Sequence, residues 1–382
     1  MNATKPPAQP LAVRRHNTAA VLQQVLTSGP LSRAEVAARL GLSQATVSRI
    51  VGPVVSAGVL MEQRPQAGGG GRPRVPLAVD PTARLAVGLH LGMQRTTVGL
   101  VDLAGTVRSV AVRTRRPARP ETLIAQAARI IEKLVADTDA PVLGIGATTG
   151  GWVDSEPGTV VTNEALGWRD VRLRELLGQR LELPVLVESS VRAQAGAELW
   201  FGCAQQATST VQLFVGNVVD AAFTVDRRVH RGMRSAAGRI EHLSLPGGCL
   251  HDSATDKAVL TVARRRGVIG EADGLSELVD RARARDQEAD AVLRERARLV
   301  GHAVTMLVDL LDPDLVVLAG GVLAVPEHLT AVREALLEQP RPGWDPRQVV
   351  ATGLGADLLV SSSAAVVLGA YVADPLRFES FA

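Results

Sequence analysis

Between Ser43 and Arg49 the chain reads SQATVSR. Ser43, Gln44, Ala45, Thr46, Ser48 and Arg49 are small, polar or basic groups at the start of what reads as a short helix. Side chains of this kind reach base edges and phosphates in a DNA major groove. Further on, Arg72-Pro73-Arg74 follows four glycines, Gly68 to Gly71. Proline holds the two guanidinium stems extended and glycine adds no bulk. Such a segment can lie along a narrow minor groove, where negative potential attracts arginine.

The elements that must position these groups lie between Leu31 and Leu60. Ser32 with Glu35 three residues on is a capping box, which starts a helix. Val36, Ala37 and Leu40 give that helix one apolar stripe. Gly41 breaks it, and Ser43 is a fitting N-cap for a second helix that buries Val47, Ile50, Val51 and Val54. Pro53 predicts a kink near Gly52. Two short helices around a glycine-containing turn form a helix-turn-helix, although a helical hairpin that merely packs has the same pattern. Strands over Val59–Met61 and Val75–Val79, with the Gly-Arg-Pro tip between them, would make this a winged helix. The tip resembles the core of AT-hook peptides; its other reading is a flexible linker that orders only on DNA. A preceding helix is expected over Asn17–Ser28.

Composition agrees with a reader of nucleic acid. Residues 1 to 80 carry nine basic against three acidic side chains, +6, while the whole chain of 382 residues has a net charge of +3. One basic end on a mildly acidic body suits phosphate contact by that end alone. A hydrophobic share of 46% supports a large core, and 3% aromatic residues make it aliphatic. Cys203 and Cys249 are too few for a disulfide framework. No stretch is expected to span a membrane, and no signal-peptide-like region opens the chain, so a cytoplasmic location is expected.

From about Leu85 strands alternate with helices, which indicates an α/β body. Strands are expected in Leu85–Val112, Val142–Asp154, Val211–Gly232 and Leu311–Val322. Helices are expected over Glu121–Asp137, Leu173–Leu181 and Ser361–Ala373. The arginines from Arg281 to Arg298 alternate with acids and read as a solvated face.

The segments GLHLGMQRTTVGLVDLAG, GIGATTGGWVD, LGWRDVRLRELL, VLVESSVRAQAGAELWFG, AAGRIEH and LDPDLVVLAGGV resemble, in this order, the ROK family of repressors, open reading frames and sugar kinases. The resemblance spans residues 12 to 375. It implies a two-lobed actin-like ATPase (RNase H-like) α/β fold with a sugar cleft, behind an N-terminal winged helix-turn-helix, and dimers or tetramers. The expected divisions are 1–80 for the DNA-binding domain, 81–200 for the first lobe and 201–382 for the second.

At the positions this resemblance makes catalytic, the chain departs from a kinase. The aspartate of the family's first phosphate turn is His90 here. The glycine-rich second loop is Gly216-Asn217-Val218-Val219-Asp220, whose branched side chains and acid would crowd and repel a triphosphate. The catalytic aspartate is Ser190, within Glu188-Ser189-Ser190-Val191-Arg192. A serine with no adjacent base cannot take a proton from a sugar hydroxyl near neutral pH. The sugar-binding glutamate is Arg239, although His242 survives. Of the zinc set only His242 and Cys249 remain, and His251 and Asp252 could complete a site only in principle, so no metal and no cofactor are expected. Asn163 lies one place off another sugar-contacting position.

The expected function is a sequence-specific transcriptional regulator, a repressor, binding an operator in double-stranded DNA as a homo-oligomer and without enzymatic activity. A ROK-type sugar kinase with an accessory DNA-binding domain is the alternative, and a third reading is a protein-interaction platform. Glu188, Arg192, Arg239 and His242, with Asn163, are the candidate ligand residues. Guanidiniums at 192 and 239 cannot accept hydroxyl protons but suit a carboxylate or phosphate. An anionic, sugar-derived effector is therefore expected, unless those arginines pair internally with Glu188 or Glu241.

Overall fold

The computed structural model describes residues 10–64, 74–114, 118–245 and 248–375. The chain opens with a helix, α1 (Pro10–Ser28), longer than expected, and a two-residue strand, β1 (Leu31–Ser32). Helices α2 (Arg33–Leu40) and α3 (Gln44–Ser56) follow, then strands β2 (Leu60–Glu62) and β3 (Pro76–Val79). The three strands form one antiparallel sheet in the order β1-β3-β2.

Local chemistry sets these boundaries. The Glu35 amide donates to the Ser32 hydroxyl, and the Ser32 amide donates to the Glu35 carboxylate at 2.8 Å, so the expected capping box is present. Gly41 ends α2 at φ +64°, in the left-handed region that glycine enters without cost. Ser43 caps α3 by accepting from the Thr46 amide at 3.1 Å. Helix α3 runs through Pro53 rather than breaking there. Pro53 is exposed and only three more helical residues follow it, so few later hydrogen bonds depend on the turn it interrupts.

The body contains two five-stranded sheets of the same topology. The first takes β4 (Leu85–Leu91), β5 (Arg95–Asp102), β6 (Val107–Thr114), β7 (Val142–Thr149) and β11 (Val185–Ser189), in the order β11-β7-β4-β5-β6. Between them come α4 (Pro120–Ala136), the small antiparallel strands β8 (Trp152–Asp154), β9 (Thr159–Asn163) and β10 (Trp168–Val171), and α5 (Leu173–Gly178). Helix α6 (Ser190–Trp200) leads to the second half. There β12 (Thr210–Val215), β13 (Val219–Val225) and β14 (Arg228–His230) form an antiparallel run. A two-strand ribbon, β15 (Ser244–Leu245) and β16 (Gly248–Cys249), and the helices α7 (Leu250–Ala254), α8 (Asp256–Arg265), α9 (Leu275–Arg283) and α10 (Gln287–Leu311) come next. Strand β17 (Leu315–Ala319), α11 (His328–Leu337), β18 (Val349–Ala351) and α12 (Leu358–Ala373) close the chain. The second sheet orders β14-β13-β12-β17-β18. In each sheet three antiparallel strands are extended on one side by two parallel ones.

The closing helix of each half crosses over. Helix α6 leaves the first sheet and packs on β12 and β13, while α12 leaves the second and packs on β4, β5 and β7. The span 201–382 therefore does not stay with one sheet: its last helix belongs to the core of the first. Helix α12 is largely apolar because most of it is covered, by α6, by that sheet and by α1. Residues 355–373 are long and apolar enough to cross a membrane, contrary to the expectation that no stretch approaches that length, but 61% of that window is buried inside the fold.

One further expectation needs correcting. Arg296, assigned to a solvated arginine face, is 2% exposed; it donates to the Ala254 carbonyl at 2.8 Å and to Asp256 at 2.6 Å.

Candidate ligand cleft and nucleic-acid face

Two surfaces carry candidate functional residues. At the first, Ser43, Gln44, Ala45, Ser48 and Arg49 are exposed and Thr46 is half-buried, while Val47, Ile50 and Val51 face the core. The polar side of α3 is thus free along its N-terminal turns. Arg72 and the glycines before it lie outside the described residues. Arg74 is described: it is exposed, with its guanidinium 3.4 Å from Glu35 on α2. Arg33 on the same helix pairs with Glu62 of β2 at 2.5 Å. Both pairs are largely open to solvent, so each contributes little to stability and screens easily when phosphate competes.

The second surface is a cleft of about 600 Å³. Its wall from the first half is His90 with Gly92–Arg95, then Gly150–Trp152 and Thr162–Ala165. From the second half come Phe214, Asn217–Asp220, Arg239, Glu241, His242 and His251, with Ser190 and Gln194 of α6 at the base. The three positions altered from a kinase, His90, Ser190 and the Asn217–Asp220 loop, therefore meet in one place.

Ser190 does have a base beside it. The His90 Nδ1 lies 3.3 Å from its hydroxyl, which corrects the expectation of an isolated serine. The same nitrogen lies 3.1 Å from the Thr148 hydroxyl, which lies 2.6 Å from that of Ser363 on α12. One imidazole nitrogen cannot serve both hydroxyls as a dedicated acceptor, so the arrangement is a hydroxyl–imidazole chain.

The candidate ligand residues divide. Arg239 and His242 line the cleft, and so does Asn163. Asn163 is 5% exposed, and its amide is spent: it donates to Thr149 and Gly150 and accepts from the Leu166 amide. Arg239 pairs with Glu241 at 2.6 Å and lies 5.6 Å over the Trp152 ring, so its charge is already matched. Glu188 and Arg192 are not in the cleft wall. Arg192 is 4% exposed, donates to Glu188 at 2.6 Å, and also donates to the carbonyls of Ser235 and Val153 and to the Ser155 hydroxyl. Burial acts to raise the Glu188 carboxyl, but Arg192, Arg231 and the Ser155 hydroxyl together hold it below the ordinary glutamate range.

That pairing removes most of the ground for an anionic ligand. Histidines apart, the remaining charged lining is Arg95 and Arg239 against Glu164 and Glu241, which is not basic. Asp220, passed over as a ligand group by sequence reasoning, sits on β13 in this wall. Burial pushes its carboxyl up to about 8, and Arg192 offsets this only in part. Near neutral pH this favours its protonated form. A glycine-loop position filled by an acid was its visible signal.

A family zinc set is not assembled. The Cys249 thiol donates to Asp252 at 3.1 Å, and among the described residues no three His, Cys, Asp or Glu side chains stand close enough to hold a metal ion. Residues 246 and 247 of that segment lie outside the described residues.

Residues 86–351 match the ROK family. The chain is 34% identical over 380 residues to the transcriptional regulator Rv0485 of Mycobacterium tuberculosis, covering 94% of this chain and 86% of that protein. It is 26% identical over 400 residues to the xylose repressor of Caldicellulosiruptor bescii, covering 97% and 98%. Among solved structures, a ROK family transcriptional regulator described as a homologue of the E. coli MLC protein superposes with a TM-score of 0.80 at 21% identity, over 97% of this chain and 99% of that one. A ROK glucokinase from Streptomyces griseus gives 0.65 at 24% identity, over 73% and 98%. These two structures share the sugar-kinase-like, actin-like α/β architecture of the body. By sequence, the chain belongs to the ROK family.

Proposed function

We propose that this protein is a sequence-specific DNA-binding transcriptional regulator, a repressor, whose kinase-like body binds a small ligand without phosphorylating it. The observation that carries the reading is the N-terminal unit. Its α2–turn–α3 pair is capped at Ser32 and Ser43, and the polar side of α3 is left open from Gln44 to Arg49. With the sheet β1-β3-β2 behind it, this unit reads as a winged helix-turn-helix over residues 1–80, ahead of two lobes that exchange their closing helices α6 and α12. Gln44, Ala45, Ser48 and Arg49 would enter a major groove, with Ser43 and Thr46 near phosphates and Arg72 and Arg74 in a flanking minor groove. The names of the relatives, a transcriptional regulator and a xylose repressor, support regulation over catalysis.

The cleft supports the non-catalytic half of the proposal. His90 replaces the first phosphate turn's acid, Ser190 replaces the base, and Asp220 occupies a glycine position of the second phosphate loop. A non-basic cleft, largely apolar with a few polar groups, suits an uncharged polyhydroxy ligand better than the anionic one expected from sequence. Binding would act by changing the spacing of two reading heads in a homo-oligomer, because half-site spacing is geometric. The regulator works where the chromosome is, in the cytoplasm.

Selection of duplexes from a random pool by the full-length protein, followed by anisotropy on the selected sequence, tests the DNA half. No enrichment over non-specific duplex would overturn it. Calorimetry against D-xylose, D-glucose and their phosphates tests the ligand class, with tight binding of phosphates alone restoring the anionic reading. Sugar-dependent ATP turnover that is lost on Ser190→Ala would return the chain to the kinases.

A further inference from the structure

Helix α12 touches both functional surfaces. Leu359, in its first turn, lines the cleft, and the Ser363 hydroxyl lies one turn on, 2.6 Å from that of Thr148. Thr148 is in turn bonded to His90 in the cleft wall. Thr148 and Ser363 are both fully buried, so this pair of hydroxyls is shielded from water, while the His90 imidazole that reaches it opens on the cleft. At its other end, about 18 Å away at 1.5 Å per residue, α12 places Leu368, Tyr371 and Val372 in one continuous core with Val21, Leu22, Val25, Ile50 and Val51 of the N-terminal unit. Beyond it, Asp374 pairs with Arg15 of α1 at 3.6 Å.

Little lies between α12 and the sheet to absorb a movement. Gly88, Gly99 and Gly146 stand side by side across β4, β5 and β7. A Cβ on Gly88 would come within 2.2 Å of the Val360 carbonyl oxygen, and one on Gly146 within 1.8 Å of that of Ser363. Backbone lies on backbone, and packed interiors pass a shift on as a rigid-body step rather than dissipating it in side chains.

We propose that α12 is the element that carries the state of the cleft to the DNA-reading head, with His90 as the residue that senses the occupant and Thr148–Ser363 as the link onto the helix. The inference rests on the cleft being a ligand site and the N-terminal unit a reading head. It adds which residues join them. A ligand that hydrogen-bonds the other ring nitrogen of His90 selects the imidazole tautomer, which sets whether Nδ1 donates to or accepts from Thr148 and Ser190, and so changes what Thr148 offers Ser363.

Amide hydrogen exchange on the full-length protein tests this without a known ligand or operator. His90→Ala, Thr148→Val and Ser363→Ala are each expected to speed exchange in α12 and also in α1 and α3 by threefold or more, with β12 and β17 unchanged. His90→Ala with Ser363→Ala should do no more than either alone, since both cut one chain. Thr148→Ser keeps the hydroxyl and should restore wild-type exchange, which separates the link from a packing defect. Unchanged exchange in α1 and α3 for all three variants, or additive effects in the double variant, overturns the proposal. A sugar found to bind by calorimetry should alter exchange in α1 of the wild type and not of Ser363→Ala; equal changes in both also overturn it. If no sugar binds, the ligand reading fails, while the ligand-free comparison still decides the link.

Discussion

The Arg192 guanidinium donates to the Glu188 carboxylate at 2.6 Å with both side chains less than 5% exposed. Neither partner is spare. Glu188 also receives Arg231 at 2.8 Å from the second half of the chain, and Arg192 reaches the Ser235 carbonyl there at 2.7 Å. The pair therefore ties the loop after β14 to the base of the first sheet. Arg192→Ala should cost about 3–5 kcal/mol, since it leaves a buried carboxylate short of its main partner. Arg192→Lys should cost nearly as much, because an ammonium cannot reach Glu188, Ser235 and Val153 at once. Urea denaturation measures both. A loss below about 1 kcal/mol would mean that Arg192 is free for another role.

The same pair gives a pH dependence with a definite sign. Glu188 is held below its ordinary range, so its contribution is complete above that range and disappears as pH falls through the lowered value. Arg231→Gln removes the second partner and should make acid unfolding begin at higher pH than in wild type. Coincident acid transitions for the two proteins would contradict this.

Gly146 faces the α12 backbone with no room for a methyl group. Gly146→Ala should therefore destabilise the fold by about 3 kcal/mol or more, through overpacking that no side-chain rotation relieves. Gly150→Ala meets nothing within 4 Å and serves as the control. Equal melting temperatures for these two variants would show that α12 sits further from the sheet than this backbone-on-backbone packing.

What was legible in the sequence follows from the range of the interactions. Ser32 with Glu35, Gly41 and Ser43 act within four residues, so the caps and the turn could be read directly. The strand–helix alternation of the body is equally local. Arg192 could not be placed, because whether it faces a ligand or the interior depends on the Ser235 and Val153 carbonyls, which only the folded chain brings to it. His90 and Ser190 are one hundred residues apart; the family resemblance puts both at the cleft, but nothing in either segment announces the contact between their side chains. Helix α12 reads as apolar whichever sheet it covers, so its return to the first sheet was invisible.

Arg49 is exposed in the second turn of α3, six residues on from the Ser43 cap. Arg49→Ala should weaken binding to a selected duplex by about 1–3 kcal/mol and relax preference at one base pair. Ser43→Ala should act differently. It removes the cap that holds the first turn, costs about 1 kcal/mol of stability, and weakens binding to all sequences alike. Anisotropy on matched and mismatched duplexes separates the two, and identical profiles for both variants would remove Arg49 from base reading.

Asp220 carries the last expectation. Its carboxyl is pushed up to about 8 by burial, so the folded chain keeps a proton that the unfolded chain gives up near pH 4. The sign follows from proton counts. Between those values the unfolded state binds fewer protons, so this group's contribution is complete at low pH and is lost as pH rises toward 8. Asp220→Asn keeps the shape and the donor but cannot ionise. Its stability relative to wild type should therefore climb with pH, by up to about 1.4 kcal/mol per unit, and level off above pH 8. Urea midpoints for both proteins at pH 5, 6.5 and 8 decide it. A difference that stays constant over that range would show that Asp220 is already ionised in the folded protein. The cleft would then hold one more negative charge, and an anionic ligand would be disfavoured further.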